Sequence, residues 1–536
     1  MEPILVPMRL HGRRRLVTDF DRITAENVKE ALGKAMAVHM RNEPEIRYLI
    51  DYYRGLQPIQ NRIKDVRPDI TYNTVINHAS EIVAFKVSYL LSDPVVYISR
   101  TRSDENTDNI SDKVNRLNDF MLLAGKQACD KEIADDFTIT GVGYRKVVAN
   151  PEYDGEGYSP FLVSTLNPRT TGVVYQNTAD KHSEAVFAFT YVDRGSNLGR
   201  VTTVYTKDSI FTLNKGKVKQ EINPLGMIPI IEYVNNEYRM GAFEPVIDML
   251  NDANVLESNR IEATEQNVQS LMWFNDVDLD EDQVARLRDK PSAFVFTRTI
   301  KDSVAPNIKN IVVDLQQADQ QVLANDLYKK MLTIVGMPST GDGNTSDSSN
   351  NGSTIVRNGW QHAEARAKDT ETLWQRSDRL FLEAVIKICD SLLADKKLEK
   401  LELRADEVVG KFTRRNYEDV MTKATVLTTL LGSPKVHPKI AYQVSGMVPD
   451  PEEAYQEGMK WYEEQLKQVA EMGQGLTDVS SPTYYRRRVA RSGSGRDTVA
   501  GTSGNTVQGT VSSQYSRTEV RERQTNGAGQ GSSDSD

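Results

Sequence analysis

The sequence predicts an α+β protein that is largely helical, and three observations support this fold class. Apolar residues recur at helical spacing in long stretches, most clearly over 73–91 and 354–397. Between 143 and 234 the pattern changes to short β-branched and aromatic runs separated by Gly, Asn, Asp and Pro, which is typical of antiparallel strands. Residues 339–353 contain no hydrophobic side chain, so we expect a loop there between two helices.

The composition argues against several classes of protein. The length of 536 residues suggests about three or four domains. Lys and Arg total 66 against 75 Asp and Glu, and a net charge of −9 argues against a wholly basic nucleic-acid binder. Cys129 and Cys389 cannot form a disulfide framework, and neither has a second ligand at zinc-site spacing. No apolar run is long enough to predict a membrane span, and we expect synthesis in a reducing cytoplasm.

The N-terminal half divides into an arm, a set of helices and a β meander. Residues 1–19 form the arm, whose arginine cluster at 13–15 predicts a solvated basic segment or a contact with an acidic partner. A helical pattern over 24–54 is expected to split near Pro44. Beyond the 73–91 helix, further helices are predicted at 108–124 and 126–138, with strands at 143–149, 160–166, 171–176, 185–193, 200–206, 209–214 and 230–234.

A long helix with an acidic face is predicted next, over 242–274. A helix of about 31 residues would be about 46 Å long, and this one would carry an acidic stripe beside an apolar one. An ordinary solvated face is the alternative interpretation of the stripe, because acidic proteins carry many surface carboxylates. The stripe consists of Glu244, Asp248, Asp252, Glu262 and Glu265.

A small insertion at 275–315 separates this helix from a second helix at 317–335. The insertion is expected to contain a short helix at 280–289 and strands at 293–300 and 308–315. The predicted elements that follow the long 354–397 helix are strands at 401–403 and 411–414, helices at 417–431, 437–445 and 451–472, and a Gly/Ser/Thr/Gln-rich tail from 473 to 536, which we expect to be disordered.

The sequence contains no recognisable catalytic motif. It lacks a P-loop, a GxGxxG after a strand, GxSxG, HExxH and CxxC. The six histidines are scattered, and His78 is expected to be a core residue of its apolar helix. The adjacent Asp135 and Asp136 are too little to define a metal site. We therefore predict a protein that is not an enzyme and that needs no cofactor or metal.

The order of these elements, together with several short sequences, resembles the portal proteins of tailed bacteriophages, and most closely the type found in long-tailed phages of Gram-positive hosts. The resemblance covers residues 40–470. Its motifs are the helix 72–95, which begins Tyr-Asn-Thr-Val-Ile-Asn and ends Ser-Asp-Pro-Val, the Leu-Thr-Ile-Val-Gly-Met-Pro run at 332–338 with Gly-Ser-Thr at 352–354, the Lys-Phe-Thr-Arg-Arg-Asn run at 411–416 and the Val-Pro-Asp-Pro-Glu-Glu run at 448–453. Two departures are Ser92-Asp93, where the family has Gly, and the less apolar 355–357.

The resemblance implies a portal-like architecture in a ring of about twelve copies. Its parts would be a wing at 20–241 and 354–400, stem helices at 242–274 and 316–338, a small α/β clip at 275–315, a tunnel loop at 339–353 and a helical crown at 401–472. The ring would sit at one vertex of the capsid in the virion. It would contact the major capsid and scaffolding proteins, the large terminase and later a head-completion or adaptor protein, and it would pass double-stranded DNA without sequence readout.

Candidate site residues follow from this assignment. The acidic stripe defined above would line the channel and repel DNA phosphates, with Asp248, Asp252 and Glu262 facing the lumen. The clip residues that would dock terminase or adaptor are Asp280, Arg286, Arg288, Lys290, Arg298 and Lys301. The tunnel-loop residues next to DNA would be Ser339, Thr340, Asp342, Asn344, Thr345, Ser346, Asp347, Ser348, Ser349, Asn350, Asn351 and Ser353.

Two other readings of the chain remain. One is another phage or cellular ring or scaffold component with the same helix–insert–helix plan and no enzymatic activity. The other is an enzyme, such as a metal-dependent nuclease or a transferase, that uses an unrecognised acidic site. The size and shape of the particle in solution distinguish the three readings.

Overall fold

A computed structural model provides the structure of the chain. It describes residues 11–64, 68–100, 107–155, 157–195, 199–268, 271–275, 277, 282, 294–297, 307–311, 317–338, 359–395, 400–414, 420–433, 435–447 and 451–473. The fold is mixed α and β, in agreement with the predicted class. The chain divides into two compact units, a large one at Met1–Gly458 and a second one at Met459–Asp536. Residues 459–473 of the second unit are described.

Four helices build the first part of the large unit. They are α1 (Val28–Tyr53), α2 (His78–Leu90), α3 (Thr107–Leu123) and α4 (Lys126–Thr140). The predicted break at Pro44 is wrong, because α1 runs through it. Tyr48, Leu49 and Tyr52, which follow the proline, are almost fully buried, and this packing outweighs the hydrogen bond that Pro44 cannot donate.

The β-rich region forms two sheets rather than one meander. The strands of the larger sheet follow the order β1 (Leu16–Thr18), β5 (Thr171–Gln176), β6 (Ala185–Asp193), β7 (Arg200–Tyr205), β8 (Ser209–Asn214) and β9 (Lys217–Ile222). The smaller sheet has the order β10 (Ile230–Val234), β3 (Val142–Ala149) and β4 (Phe161–Leu166). The sequence patterns missed β1 and β9. The second of these is an exposed edge strand rich in Lys, which lacks the apolar face that marks a strand.

The N-terminal arm is not a solvated basic segment. Its β1 strand pairs in parallel with β5, and Arg13 is buried, at 4% exposure. The arginine makes ion pairs with Glu45 (3.1 Å) and Glu244 (2.8 Å). The acidic partner that the arginine cluster predicted is therefore the chain itself.

A buried ionic network joins α4, β3 and the long helix α7 (Trp360–Asp395). Arg145 on β3 is fully buried and bonds to Asp130 on α4 and to Asp378 on α7. Lys126 donates to Asp130 over 2.5 Å. Tyr97 and Tyr233 donate their hydroxyls to Asp378 over 2.8 and 3.3 Å. Two cations and two carboxylates thus neutralise one another inside the core.

The predicted 242–274 helix is shorter than expected. A 3-10 turn, Glu244–Val246, leads into α5 (Ile247–Val268), and the following residues form strand β11 (Leu271–Asn275). This strand pairs in parallel with β12 (Phe294–Thr297) and antiparallel with β13 (Asn307–Ile311), so it is the centre of a three-stranded sheet. The Leu-Met-Trp-Phe run is therefore a central strand, although its apolar residues also fit the helical face. Of the predicted helix at 280–289, only Asp282 lies among the described residues.

The remaining elements follow the predicted order. They are α6 (Gln317–Val335), the long α7, strand β14 (Val408–Lys411), and the helices α8 (Val420–Leu431), α9 (Pro438–Ser445) and α10 (Pro451–Gly473). Strand β14 pairs with β2 (Val96–Ser99). The predicted strand at 401–403 is an irregular segment, in which Leu401 and Leu403 are buried and Glu402 is exposed. Among the helices that the structure describes, none combines the length and the apolarity needed to cross a bilayer.

Candidate functional site

The helix pair α5 and α6, with the small sheet between them in sequence, is the centre of the candidate site. Arg260 on α5 donates to Gln321 on α6 over 2.9 Å, and Gln317 on α6 donates to Thr264 over 3.4 Å. Most of α6 is exposed in the single chain, and its buried residues are confined to the last turns, at Met331, Leu332 and Val335. In the single chain, most of the α6 surface is therefore free for other contacts.

The segment 72–76 packs on one face of α5. Polar side chains of α5 accept hydrogen bonds from the backbone of this segment. The backbone N–H groups of Tyr72, Thr74 and Ile76 donate to Glu262 (3.0 Å), Ser258 (3.1 Å) and Asn254 (2.7 Å) respectively. Alternate residues of an extended chain are about 6.6 Å apart, and four residues of a helix rise about 6 Å, so the two repeats match. Side chains of α5 thus take the place of a neighbouring strand.

Basic residues complete the contacts at Glu262. Lys64 donates to this carboxylate, and Arg62 lies 3.7 Å from it. Burial alone would raise the pKa of Glu262, but the hydrogen bonds from Lys64 and the Tyr72 N–H outweigh it and lower the pKa below its usual value. The Tyr72 hydroxyl donates to Glu265.

The start of the helix is fixed by Glu244. Its carboxylate accepts from the N–H groups of Gly12 (2.9 Å) and Gly241 (2.8 Å) and from Arg13 (2.8 Å). Gly12 has φ +80, and a Cβ there would lie 2.0 Å from the Tyr238 carbonyl oxygen, so only glycine fits. This junction ties the N-terminal arm to the beginning of α5.

The structure corrects the predicted acidic stripe. Glu244 and Glu262 are each 5% exposed and ion-paired inside the chain, so neither can line a channel in this conformation. Glu265 is partly buried against Tyr72. Asp248 and Asp252 are exposed, and within the described residues no ion pair involves either of them. The 100° periodicity assumed one continuous helix, whereas Glu244 lies in the 3-10 turn before α5, and it could not show that Glu262 is covered.

The predicted clip and tunnel-loop residues lie outside the part of the chain that the structure describes. This applies to Asp280, Arg286, Arg288, Lys290, Arg298 and Lys301, and to the entire 339–353 segment. The described flanks of that segment are close together. A Cβ on Gly359 would lie 3.6 Å from the Cα of Pro338, so the chain leaves and returns at one point, between α6 and α7.

The described residues contain no metal-binding cluster. Among them, no group of three or more His, Cys, Asp or Glu side chains is arranged to hold a metal ion. Burial, and then repulsion from Asp135, raises the pKa of Asp136 to about 7, but no third metal ligand joins this pair from the part of the chain that the structure describes. His78 is not the expected core residue; it is partly exposed and contacts Glu81 and Tyr328 at the α2–α6 boundary.

Comparison with protein families identifies the family of the chain. Residues 33–475 match the family described as phage portal protein, SPP1 Gp6-like. The chain belongs to the phage portal protein family. A comparison with curated proteins found no match. The matched range contains α5, the inserted sheet, α6 and α7. Portal proteins are structural components of the virion capsid with a role in genome packaging, and theirs is a non-enzymatic family.

Sequence reasoning missed the residues that hold α5 in this portal protein. Asn254 and Ser258 continue the Glu262 stripe at four-residue spacing. Two features of the sequence could have pointed to these residues. One is the polar stripe on the helix, and the other is a Pro- and Asn-rich segment that has no helical or strand periodicity and so needs hydrogen-bond partners from elsewhere. Arg13 was noticed only as part of a charge cluster.

Glu262→Gln is expected to lower the free energy of unfolding by about 1–2 kcal/mol, because it removes charge-assisted hydrogen bonds. Asp252→Asn, on the exposed side of α5, is the matched control and should change it by less than about 0.5 kcal/mol. Denaturant midpoints at pH 7 measure both. Because the folded-state pKa of Glu262 is lowered, its contribution is present above the usual glutamate pKa and is lost as the pH falls through the folded value. Equal effects of the two variants at pH 7 would contradict this role of Glu262.

Proposed function

We propose that the chain assembles into a ring of about twelve copies that passes double-stranded DNA at one vertex of the capsid. The DNA would enter during packaging and leave during ejection, without sequence readout. The observation that carries the proposal is the family match over 33–475, within which two packed helices flank a small three-stranded sheet. In this proposal α5 and α6 form the stem, the inserted sheet belongs to the clip, and 339–353 is the tunnel loop.

The proposed channel wall includes the exposed face of α5. Asp248 and Asp252 lie one turn apart there, and Val255 and Asn259 continue the same exposed stripe. A ring repeats each carboxylate in every subunit, so two acids per chain produce a strongly negative wall. Such a wall repels DNA phosphates and lets the duplex slide. This proposal keeps two of the five predicted acids and drops Glu244 and Glu262.

The exposed surface of α6 is suited to contacts between subunits. Val322 is 67% exposed and Leu323 is 56% exposed in the single chain. Apolar side chains at this level of exposure on a helix with few buried residues favour burial against a neighbouring copy. A ring supplies such a neighbour for every subunit.

The remaining contacts belong to the same proposal. The clip would dock the large terminase during packaging and a head-completion or adaptor protein afterwards. The wing would meet the major capsid and scaffolding proteins. The resemblance to portal proteins of long-tailed phages of Gram-positive hosts, from which Ser92-Asp93 departs, would place synthesis in a bacterial cytoplasm.

Negative-stain microscopy of the purified full-length protein, combined with its mass in solution, tests this proposal. We expect rings with a central hole and a mass near twelve times 60.3 kDa. A closed ring of another subunit number would favour the scaffold alternative, although rings assembled outside a capsid can differ in number from the ring in the virion. A monomer with metal-dependent nuclease turnover would overturn the proposal.

A further inference from the structure

A cavity just beyond the end of α6 is lined by two cations and, among the described residues, by no carboxylate. It is small, is partly open to solvent, and lies where α2, α4 and α7 meet. Lys86 on α2 is partly buried in its wall, and Arg366 on α7 is exposed. Thr138, Asn235 and Thr370 bring hydroxyl and amide groups to the same lining. The lining thus combines positive charge with neutral hydrogen-bonding groups.

Within the described part of the chain, neither cation has an anionic partner. A nearby arginine, Arg414, shows the contrast, because it bonds to Glu364 (3.0 Å) and Glu371 (2.9 Å). Burial, and then repulsion from Arg366, lowers the pKa of Lys86 to about 8. A partly buried ammonium without a counter-ion destabilises the fold, and an anion in the cavity would remove that cost.

We propose that this cavity binds a phosphate-class oxyanion, held by the Lys86 ammonium and the Arg366 guanidinium. The planar guanidinium matches the oxygens of phosphate in a two-point contact, and the ammonium supplies a second positive charge. The hydroxyl of Thr138 can donate to one of the remaining oxygens, whereas the Thr370 hydroxyl already donates to the Arg366 carbonyl oxygen over 3.2 Å. Inorganic phosphate and a phosphate of the DNA backbone share this chemistry, and they are the two sources of the ligand. Binding of the free anion does not depend on the proposed ring or channel.

The test compares the thermal unfolding of the full-length protein in phosphate and in chloride at equal ionic strength and pH 7, with calorimetric titration of inorganic phosphate. Phosphate should raise the Tm of the wild type, because it binds the folded state. Lys86→Met and Arg366→Gln should each weaken phosphate binding about tenfold and lose most of the Tm shift. Lys330→Gln removes an exposed lysine of α6 that pairs with Asp326, and this matched control should keep the shift.

Lys86→Met has a second expected effect that a purely structural lysine would not show. In chloride, the variant should be more stable than the wild type, since methionine fills similar space without an uncompensated charge. In phosphate that advantage should vanish. If a short DNA duplex displaces phosphate from the wild type and does so more weakly from the variants, the ligand source is the DNA backbone. If it does not, the ligand is the free anion.

The proposal is overturned if the wild type shows no phosphate-specific Tm shift, or if all variants shift equally. It is also overturned if Lys86→Met lowers the Tm by the same amount in both salts. That last result would mean that the two cations only oppose the negative end of the α6 helix dipole.

Discussion

Asp130→Asn is expected to lower the free energy of unfolding of the large unit by about 3–5 kcal/mol. Asp130 receives hydrogen bonds from two cations, Lys126 and Arg145, and all three side chains are almost completely buried. Removal of the Asp130 charge leaves two buried cations, and Asp378 is then the only carboxylate among the described residues that neutralises them. The interior cannot reorganise to solvate them as water would, so the cost is much larger than that of a surface ion pair.

The aromatic surroundings of Arg145 do not replace the lost carboxylate. The guanidinium lies 4.8 Å from the ring centroid of Tyr233 and 4.6 Å from that of Phe381. Such cation–π contacts contribute about 1–2 kcal/mol, which is less than the loss of a buried counter-ion. Trp374 also packs on Arg145, at 5.7 Å, so its fluorescence offers a local report of unfolding.

Asp193→Asn is the matched control, because Asp193 pairs with Arg200 over 2.9 Å with both side chains exposed. It should change the free energy of unfolding by about 0–1 kcal/mol. Denaturant titration of both variants gives the comparison. An Asp130→Asn effect as small as that of Asp193→Asn would mean that the core accommodates the unpaired cations, and the network would then contribute little to stability.

The buried network also shows what sequence patterns could not reveal. Lys126, Asp130 and Arg145 look like ordinary surface residues of a helix and a strand, and only the packing of α4, β3 and α7 against one another encloses them. Local periodicity reports which residues share a face, but it does not report what covers that face. The prediction that Glu262 faces a channel was wrong for the same reason. The segment 72–76, which covers that side of α5, is distant in sequence from Asn254 and Glu262.

Long elements with strong periodicity were predictable. Helix α6 has its predicted bounds, Gln317–Val335, because Pro338 and Gly336 stop a regular apolar pattern. The end of α5 was not predictable from the same signals. Its strand β11 has no Gly or Pro between it and the helix, and its partners β12 and β13 come later in the chain. Strand pairing over long sequence distances decided that boundary, and local propensity did not.

Deletion of residues 341–351 is expected to leave the ring assembled and to remove most packaged DNA from the particles. The described ends of the segment, Pro338 and Gly359, are nearly in contact, and nine residues would still connect them. The closing entropy of such a loop changes only slowly with length, so α6 and α7 should keep their positions. The proposed contact between the polar loop and the DNA backbone would be lost, because the remaining residues could not extend towards the duplex.

Replacement of 341–351 by a Gly and Ser segment of the same length distinguishes the effect of loop length from the effect of the particular loop side chains. If the loop meets DNA through neutral hydrogen bonds to phosphate, as its Ser, Asn and Thr content predicts, this variant should package much more DNA than the deletion. Micrographs of purified rings and the DNA content of particles from a complementation assay measure the two effects separately. Loss of ring assembly on deletion would instead give the segment a structural role. Full packaging by the deletion variant would contradict the proposed role of the segment, since a ring that packages normally without these residues cannot depend on their contact with the duplex.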